Sequence, residues 1–209
     1  MPKTCVFPVN ILVLVSGGGT NLQALIDAQC AGRFGSAKIA AVVSNKKGVY
    51  ALERAKTAGI QSFVEEVNPG LTKPQRQKEL SDRILRHCRE KEIRLIVLAG
   101  LLLILKGTII DCYSGRIINI HPALLPKFGG EGMYGKHVHR AVLAAGETET
   151  GCTVHIVDAG TDTGPILLQR KVPVLSGDTP EVLAERVLKE EHIAIVDAVE
   201  MMLNSLEGK

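Results

Sequence analysis

The sequence NILVLVSGGGTN at positions 10–21 decides the fold of this chain. Its first six residues are a nearly continuous apolar run with the length of a buried strand. Three glycines and a threonine follow, and residues 21–31 are then predicted to form a helix. A buried strand that turns through glycine directly into a helix is typical of the first unit of a parallel sheet covered by helices.

Strands and helices alternate along the rest of the chain. Further strands are predicted at 38–43, 62–67, 92–99, 116–120, 152–157 and 166–174, and further helices at 48–59, 75–91 and 179–203. A glycine-rich loop is predicted at 127–139 and a turn at 158–165. The pattern predicts an α/β fold: one Rossmann-like domain over residues 1–209, with a mostly parallel, twisted sheet and helices on both faces.

Composition excludes several classes of protein. The 209 residues are 45% hydrophobic and 22% charged, unlike fibrous or disordered chains. The 25 basic and 22 acidic residues are spread along the chain and aromatic residues make up 3%, so nothing points to nucleic acid. Five cysteines without a CxxC pair predict neither a zinc site nor a disulfide framework.

Without a secretory signal or a membrane-length apolar run, we expect a cytoplasmic protein with no membrane partner.

The glycine turn after the first strand is the first candidate site. At the start of a helix, the backbone amides of Gly19, Thr20 and Asn21 are placed to hold a phosphate. A dinucleotide fingerprint would need glycine at Leu22 and an acid after the second strand, where residues 44–47 are SNKK, and the Walker A lysine is missing. The turn therefore predicts either a site for a small phosphomonoester or a tight turn that merely needs glycine.

A second candidate lies at the end of the strand at 116–120. Asn119 and His121 are two positions apart, so their side chains point to the same side of an extended chain. An amide beside an imidazole suits oxyanion stabilisation and proton transfer, although a histidine at a strand end is often only structural. In the turn at 158–165, Asp158 and Asp162 are either turn formers or partners of His121 that would raise its pKa.

The last predicted helix carries a further acid. Glu191 lies four residues from both Val187 and Ile195, on the apolar stripe of that helix. It therefore either meets a polar partner or lies solvated at the rim of the stripe. Three more histidines lack metal-ligand spacing and have no predicted role: His137, His139 and His155.

Taken in order, these motifs resemble the phosphoribosylglycinamide formyltransferases, folate-dependent enzymes of purine biosynthesis. The resemblance runs from Ile11 to about Val199 and is most specific at 16–21, 118–126, 151–155 and 162–165. It implies a phosphate-binding half at about 10–100 and a folate-binding, catalytic half at about 101–204. It also implies two small-molecule substrates, glycinamide ribonucleotide and 10-formyltetrahydrofolate, no metal, and a monomer or homodimer.

The resemblance also implies a role for each candidate residue. Gly19, Thr20 and Asn21 would hold the substrate phosphate, and Glu191 the ribose hydroxyls. Asn119 and His121 would stabilise the oxyanion formed when the amine attacks the formyl carbon, while Asp162 keeps His121 charged. The folate-binding residues would be Lys73, Leu102, Leu103, Ile104, Leu105, Asn119, Asp158 and Asp162.

Three features depart from the family and three alternatives stay open. Leu103 and Lys73 stand where arginine is common, and the loop at 127–137 is longer than in many relatives. Formyltetrahydrofolate hydrolases and methionyl-transfer-RNA formyltransferases share the core, and each usually carries an extra domain. A sugar-phosphate sensor that uses only residues 17–21 is the non-catalytic alternative.

Overall fold

The structure, a computed structural model, describes residues 8–207. Within this range seven strands form one sheet: β1 (Asn10–Val15), β2 (Lys38–Ser44), β3 (Ser62–Val64), β4 (Ile93–Leu98), β5 (Ile117–His121), β6 (Glu149–Ile156) and β7 (Ile166–Pro173). The helices are α1 (Thr20–Cys30), α2 (Tyr50–Thr57), α3 (Lys73–Glu90), α4 (Thr108–Cys112), α5 (Lys136–Ala144) and α6 (Pro180–Glu207). The predicted α/β fold is confirmed.

The order of the strands places the functional edge of the sheet. The order is β3-β2-β1-β4-β5-β6-β7, with parallel pairing from β3 to β5 and antiparallel pairing of β6 with β5 and β7. After β1 the chain first builds outward through β2 and β3, and then returns to add β4 on the other side. A crevice at the carboxyl ends of β1 and β4 is therefore expected, as in other open sheets of this type.

The helices cover both faces of the sheet, as the sequence predicts. In β1, Ile11, Val13 and Val15 belong to the apolar core under α1 and α6, whereas Leu12 and Leu14 belong to the core under α3 and α4. Alternate residues of a strand point to opposite faces, so a strand buried on both sides is apolar throughout.

Some predicted element boundaries are wrong. α5 begins at residue 136, inside the predicted loop, because Val138 and Val142 are buried one turn apart after Gly135, whose φ is 51°. α4 was not predicted, since a helix of five residues is too short to show a periodic pattern. β6 begins at Glu149, three residues earlier than predicted, and β3 ends at Val64.

The helices between residues 8 and 207 do not include one that combines the length and the apolar character needed to cross a bilayer.

Candidate active site

A cavity of about 700 Å³ opens at the carboxyl ends of the central strands. It is lined by residues from both halves of the chain, including Asn21 after β1, Asn119 and His121 on β5, and Glu191 on α6. All of the site residues predicted from the sequence line this cavity except Gly19 and Thr20. The other predicted residues in its wall are Lys73, Leu102, Leu103, Ile104, Leu105, Asp158 and Asp162.

The glycine turn next to this cavity has glycines of two kinds. Gly19 has a φ of 71°, and a Cβ there would lie 2.6 Å from the Cβ of Ala51 on α2. Packing alone therefore requires Gly19. Gly17 and Gly18 have no such requirement, because a Cβ at either would meet no atom within 4 Å. Nothing within the described residues explains these two glycines, whereas a ligand lying against the backbone would.

The amino terminus of α1 is open to an anion. Helix α1 has no side-chain cap and no acidic residue in its first turn, so its first amides and the positive end of its dipole are uncompensated. Arg54 of α2 donates from Nε to the carbonyl oxygen of Gly18 at 2.9 Å, which places a positive charge beside the turn. The local geometry suits a phosphate group.

Glu191 has a polar partner. Nδ2 of Asn21 donates a hydrogen bond of 2.8 Å to Oε2 of Glu191, and Asn21 is only 8% exposed. Burial raises the pKa of Glu191, and the hydrogen bond from Asn21 lowers it by less. Of the two alternatives left by the sequence, a solvated position at the rim of the stripe is therefore wrong.

Four side chains converge beyond this pair. Asn119 and His121 project from β5, and the antiparallel register pairs Asn119 with His155 on β6. Nε2 of His155 lies 3.1 Å from Nδ2 of Asn119 and 3.5 Å from Oδ1 of Asp162. Oδ2 of Asp162 lies 3.5 Å from Nδ1 of His121. His155 thus links the amide to the carboxylate, and the carboxylate lies between the two imidazoles.

Asp162 is held in this position by its backbone and by a neighbouring loop. Its φ is 58°, a left-handed conformation that aspartate tolerates better than most residues. The amide of Gly130 donates to its Oδ2 at 2.9 Å. Burial raises the pKa of Asp162, but the hydrogen bond from the amide of Gly130 and the nearby imidazoles of His155 and His121 together outweigh it, so the pKa lies below its usual value. Asp162 is therefore negatively charged at neutral pH.

The net shift in the pKa of His121 is downward, against the expectation that Asp162 would raise it. His121 is 3% exposed, and burial lowers its pKa by more than the attraction of Asp162 raises it. Its Nε2 lies 2.8 Å from the carbonyl oxygen of Phe128, which accepts only, so Nε2 carries the hydrogen. Nδ1 faces Asp162 and is therefore the ring nitrogen at which His121 gains or loses its second proton.

The far wall of the cavity is apolar. Residues 101–105 follow β4, and Ser16 fixes the start of this segment by accepting a 2.9 Å hydrogen bond from the amide of Leu102. Opposite, Oδ1 of Asp158 accepts hydrogen bonds from the amide of Gly160 and the hydroxyl of Thr163. Asp158 therefore shapes the turn that presents Asp162. Lys73 reaches the mouth of the cavity but forms an ion pair with Glu131 of the glycine-rich segment.

Sequence reasoning missed several residues of the cavity wall. His155 and His139 both line it, as does the glycine-rich segment from Gly130 to Lys136. His155 could be found only through the antiparallel pairing of β5 with β6, which no local pattern shows. His139 could be found only once α5 was known to begin at residue 136.

Comparison with known proteins identifies the family. The sequence profile of the formyl transferase family matches residues 9–199. Phosphoribosylglycinamide formyltransferase of Escherichia coli (strain K12) is 40% identical over 184 residues, which are 88% of this chain and 82% of that protein. Trifunctional purine biosynthetic protein adenosine-3 of Drosophila pseudoobscura pseudoobscura is 45% identical over 92% of this chain, which spans only 14% of its length.

A solved structure agrees with both sequence comparisons. Glycinamide ribonucleotide transformylase 1 from Symbiobacterium toebii superposes with a TM-score of 0.85 at 36% identity, over 95% of this chain and 89% of that one. The similarity to this family therefore covers nearly the whole chain, including the sheet and the cavity at the carboxyl ends of its strands. The chain belongs to the formyl transferase family.

Proposed function

We propose that this protein transfers the formyl group of 10-formyltetrahydrofolate to the amine of glycinamide ribonucleotide. The products are formylglycinamide ribonucleotide and tetrahydrofolate, as in purine biosynthesis. One observation carries the proposal: a single cavity joins the Asn21–Glu191 pair to the cluster of Asn119, His121 and Asp162. Such a cavity lets a phosphorylated acceptor extend from the glycine turn to the reacting groups. The names of the relatives support the acceptor and the transfer of a formyl group, while the folate donor is part of the proposal.

The acceptor fits the end of the cavity next to α1. Its phosphate would bind the open amides at Gly19, Thr20 and Asn21, with Gly17 and Gly18 letting it approach the backbone. Oε2 of Glu191 is used by Asn21, whereas Oε1 has no partner within residues 8–207. That free oxygen would accept a hydrogen bond from a ribose hydroxyl.

The donor fits the opposite wall. Leu102, Leu103, Ile104 and Leu105 form an apolar surface for a flat ring, and the turn from Asp158 to Asp162 supplies polar groups across the cavity. Leu103 leaves this wall uncharged where the family commonly has arginine. Lys73 is paired with Glu131, so it can bind a carboxylate of the donor only after it releases Glu131. When bound, the donor supplies the formyl group.

The catalytic roles follow from the hydrogen bonds that are already made. Asn119 directs one Nδ2 hydrogen at His155 and keeps the second for the oxygen that becomes negative during acyl transfer. Nδ1 of His121 takes up a proton, and Asp162 stabilises the resulting imidazolium. Overall, a C–N bond forms between the formyl carbon and the amine of the acceptor, and the C–N bond between that carbon and the donor breaks. One proton moves from the amine of the acceptor to the nitrogen of the donor.

The deciding experiment is release of tetrahydrofolate from 10-formyltetrahydrofolate by the purified protein, with and without glycinamide ribonucleotide. Release only with the ribonucleotide supports the proposal. Release without it would assign a hydrolase instead. No release in either sample, together with binding of the ribonucleotide, would leave only the phosphate-binding sensor.

Location and assembly complete the proposal. A cytoplasmic protein that is a monomer or homodimer is what the sequence predicts, and both properties can be measured by cell fractionation and by sedimentation. The division into a phosphate-binding half at about 10–100 and a folate-binding, catalytic half at about 101–204 is also part of the proposal. It is tested by substitutions in the glycine turn, which are expected to weaken binding of the phosphorylated acceptor, and at residues 102–105, which are expected to weaken binding of the donor.

A further inference from the structure

His139 is a buried histidine in the cavity wall for which the mechanism above has no role. It lies in the first turns of α5 and is 4% exposed. The hydrogen bonds made within residues 8–207 do not include either of its ring nitrogens, and Nδ1 is fully enclosed without a partner. Nε2 also has no partner within these residues and is not fully enclosed, so it is the ring nitrogen that a ligand in the cavity could reach.

The position of His139 shows which substrate it would meet. Helix α5 packs against α6, whose Ala184, Leu188 and Glu191 line the same side of the cavity at helical spacing. Burial lowers the pKa of His139, and the nearby His121 lowers it further. His139 and His121 line one cavity, and the packing of α5 against α6 puts His139 on the side that carries Glu191. This is the side proposed above for the acceptor.

The protonation of His139 fixes what it can offer. A neutral imidazole carries one hydrogen, and on the enclosed Nδ1 that hydrogen would have no acceptor. Buried N–H groups without an acceptor are rarer than buried acceptors without a donor, so the hydrogen belongs on Nε2. His139 thus presents an N–H donor to the cavity and needs an oxygen in return.

We propose that Nε2 of His139 donates a hydrogen bond to the amide carbonyl oxygen of glycinamide ribonucleotide and so places the reacting amine beside His121. This inference rests on the proposed function. Between the ribose ring and the amine of that substrate, the amide carbonyl is the strong hydrogen-bond acceptor. His139 is then a substrate-positioning residue that discriminates the acceptor from other sugar phosphates.

The test is calorimetric titration of glycinamide ribonucleotide into the protein without folate. Removing the donor in His139→Phe is expected to weaken binding by about 10- to 100-fold, the usual effect of leaving a buried polar group unpaired. His139→Gln keeps an N–H donor and is expected to bind more tightly than His139→Phe. Ribose 5-phosphate, which lacks the carbonyl, is expected to bind all three proteins equally. The matched control is His137→Phe, because His137 is exposed on the same helix and outside the cavity wall.

Several outcomes would overturn the inference. If His139→Phe has the melting temperature of the wild type and binds the ribonucleotide equally well, the proposed hydrogen bond does not exist. Equal weakening by Phe and Gln assigns the ring a packing role. If His139→Phe weakens the binding of the ribonucleotide and of ribose 5-phosphate equally, His139 does not contact the amide carbonyl. If His139→Phe does not fold, His139→Leu replaces it. Failure of the wild type to bind the ribonucleotide is a separate result, since it rejects the proposed function itself.

Discussion

Asn21 and Glu191 are 170 positions apart in the chain, yet Nδ2 of Asn21 donates a 2.8 Å hydrogen bond to Oε2 of Glu191. The bond joins the first turn of α1, beside the glycine turn, to the middle of α6. It aligns two side chains on the wall of one cavity and leaves Oε1 of Glu191 available to a ligand. The proposed acceptor end of the site is therefore assembled by the packing of α6 on α1.

The first prediction concerns the stability contributed by Glu191. Burial raises the pKa of Glu191 in the folded state, whereas in the unfolded state its pKa is about 4.3. At a pH between these two pKa values, the folded protein therefore binds more protons than the unfolded protein. Stability therefore falls as the pH rises through this window. Glu191→Gln removes this slope, so its unfolding free energy relative to the wild type is expected to increase from pH 4 to pH 7. Urea unfolding at each pH measures the difference, and parallel curves would contradict it.

His121→Ala is expected to abolish most of the formyl transfer. Loss of a positioned proton acceptor typically lowers turnover by about 10²- to 10⁴-fold. The measurement is tetrahydrofolate release with both substrates, and circular dichroism verifies folding. His137→Ala is the control, since His137 is exposed and outside the cavity wall. Full activity in His121→Ala would reject the mechanism.

The pH profile of the wild type reports the protonation of His121. Nδ1 must be unprotonated to take up a proton, and burial lowers the pKa of His121. The acid limb of turnover is therefore expected below the ordinary histidine value of about 6.5. In Asp162→Asn the attraction of the carboxylate is lost, so the limb is expected to shift to still lower pH. A limb that is unchanged by this substitution would remove Asp162 as the partner of His121.

Asp162 is expected to have separable catalytic and structural roles. Asn at this position tolerates the φ of 58° and retains an oxygen for the amide of Gly130, but has no charge. Asp162→Asn should therefore unfold like the wild type while turnover falls by about 10²-fold or more. Asp162→Ala should lose activity and also about 1–2 kcal/mol of stability, because alanine is strained at positive φ. Equal stability of the two variants would argue against this strain.

The glycines of the first turn are expected to respond differently to alanine. Gly19→Ala combines a φ of 71° with a Cβ placed 2.6 Å from the Cβ of Ala51, so it should cost about 1–3 kcal/mol of stability. Gly17→Ala meets no atom within 4 Å and should change stability by less than about 0.5 kcal/mol. It should nevertheless raise the KM for glycinamide ribonucleotide, because the methyl group would occupy the surface offered to the phosphate. An unchanged KM would place the phosphate elsewhere.

Local patterns in the sequence determined the type of fold and several of the candidate residues. The apolar run before the glycine turn predicted β1 and the start of α1, because burial on both faces and the conformational freedom of glycine are local requirements. The spacing of Asn119 and His121 predicted that they share one side of β5, since alternation along a strand does not depend on distant partners.

Only the tertiary structure decided how these residues work together. The pairing of β5 with β6 brings His155 between Asn119 and Asp162, and the start of α5 turns His139 into the cavity. Burial lowers the pKa of His121, which the sequence predicted that a carboxylate would raise, because desolvation of the imidazolium outweighs the attraction of Asp162 at 3.5 Å. Desolvation depends on every atom packed around a group, and most of these atoms come from distant parts of the chain.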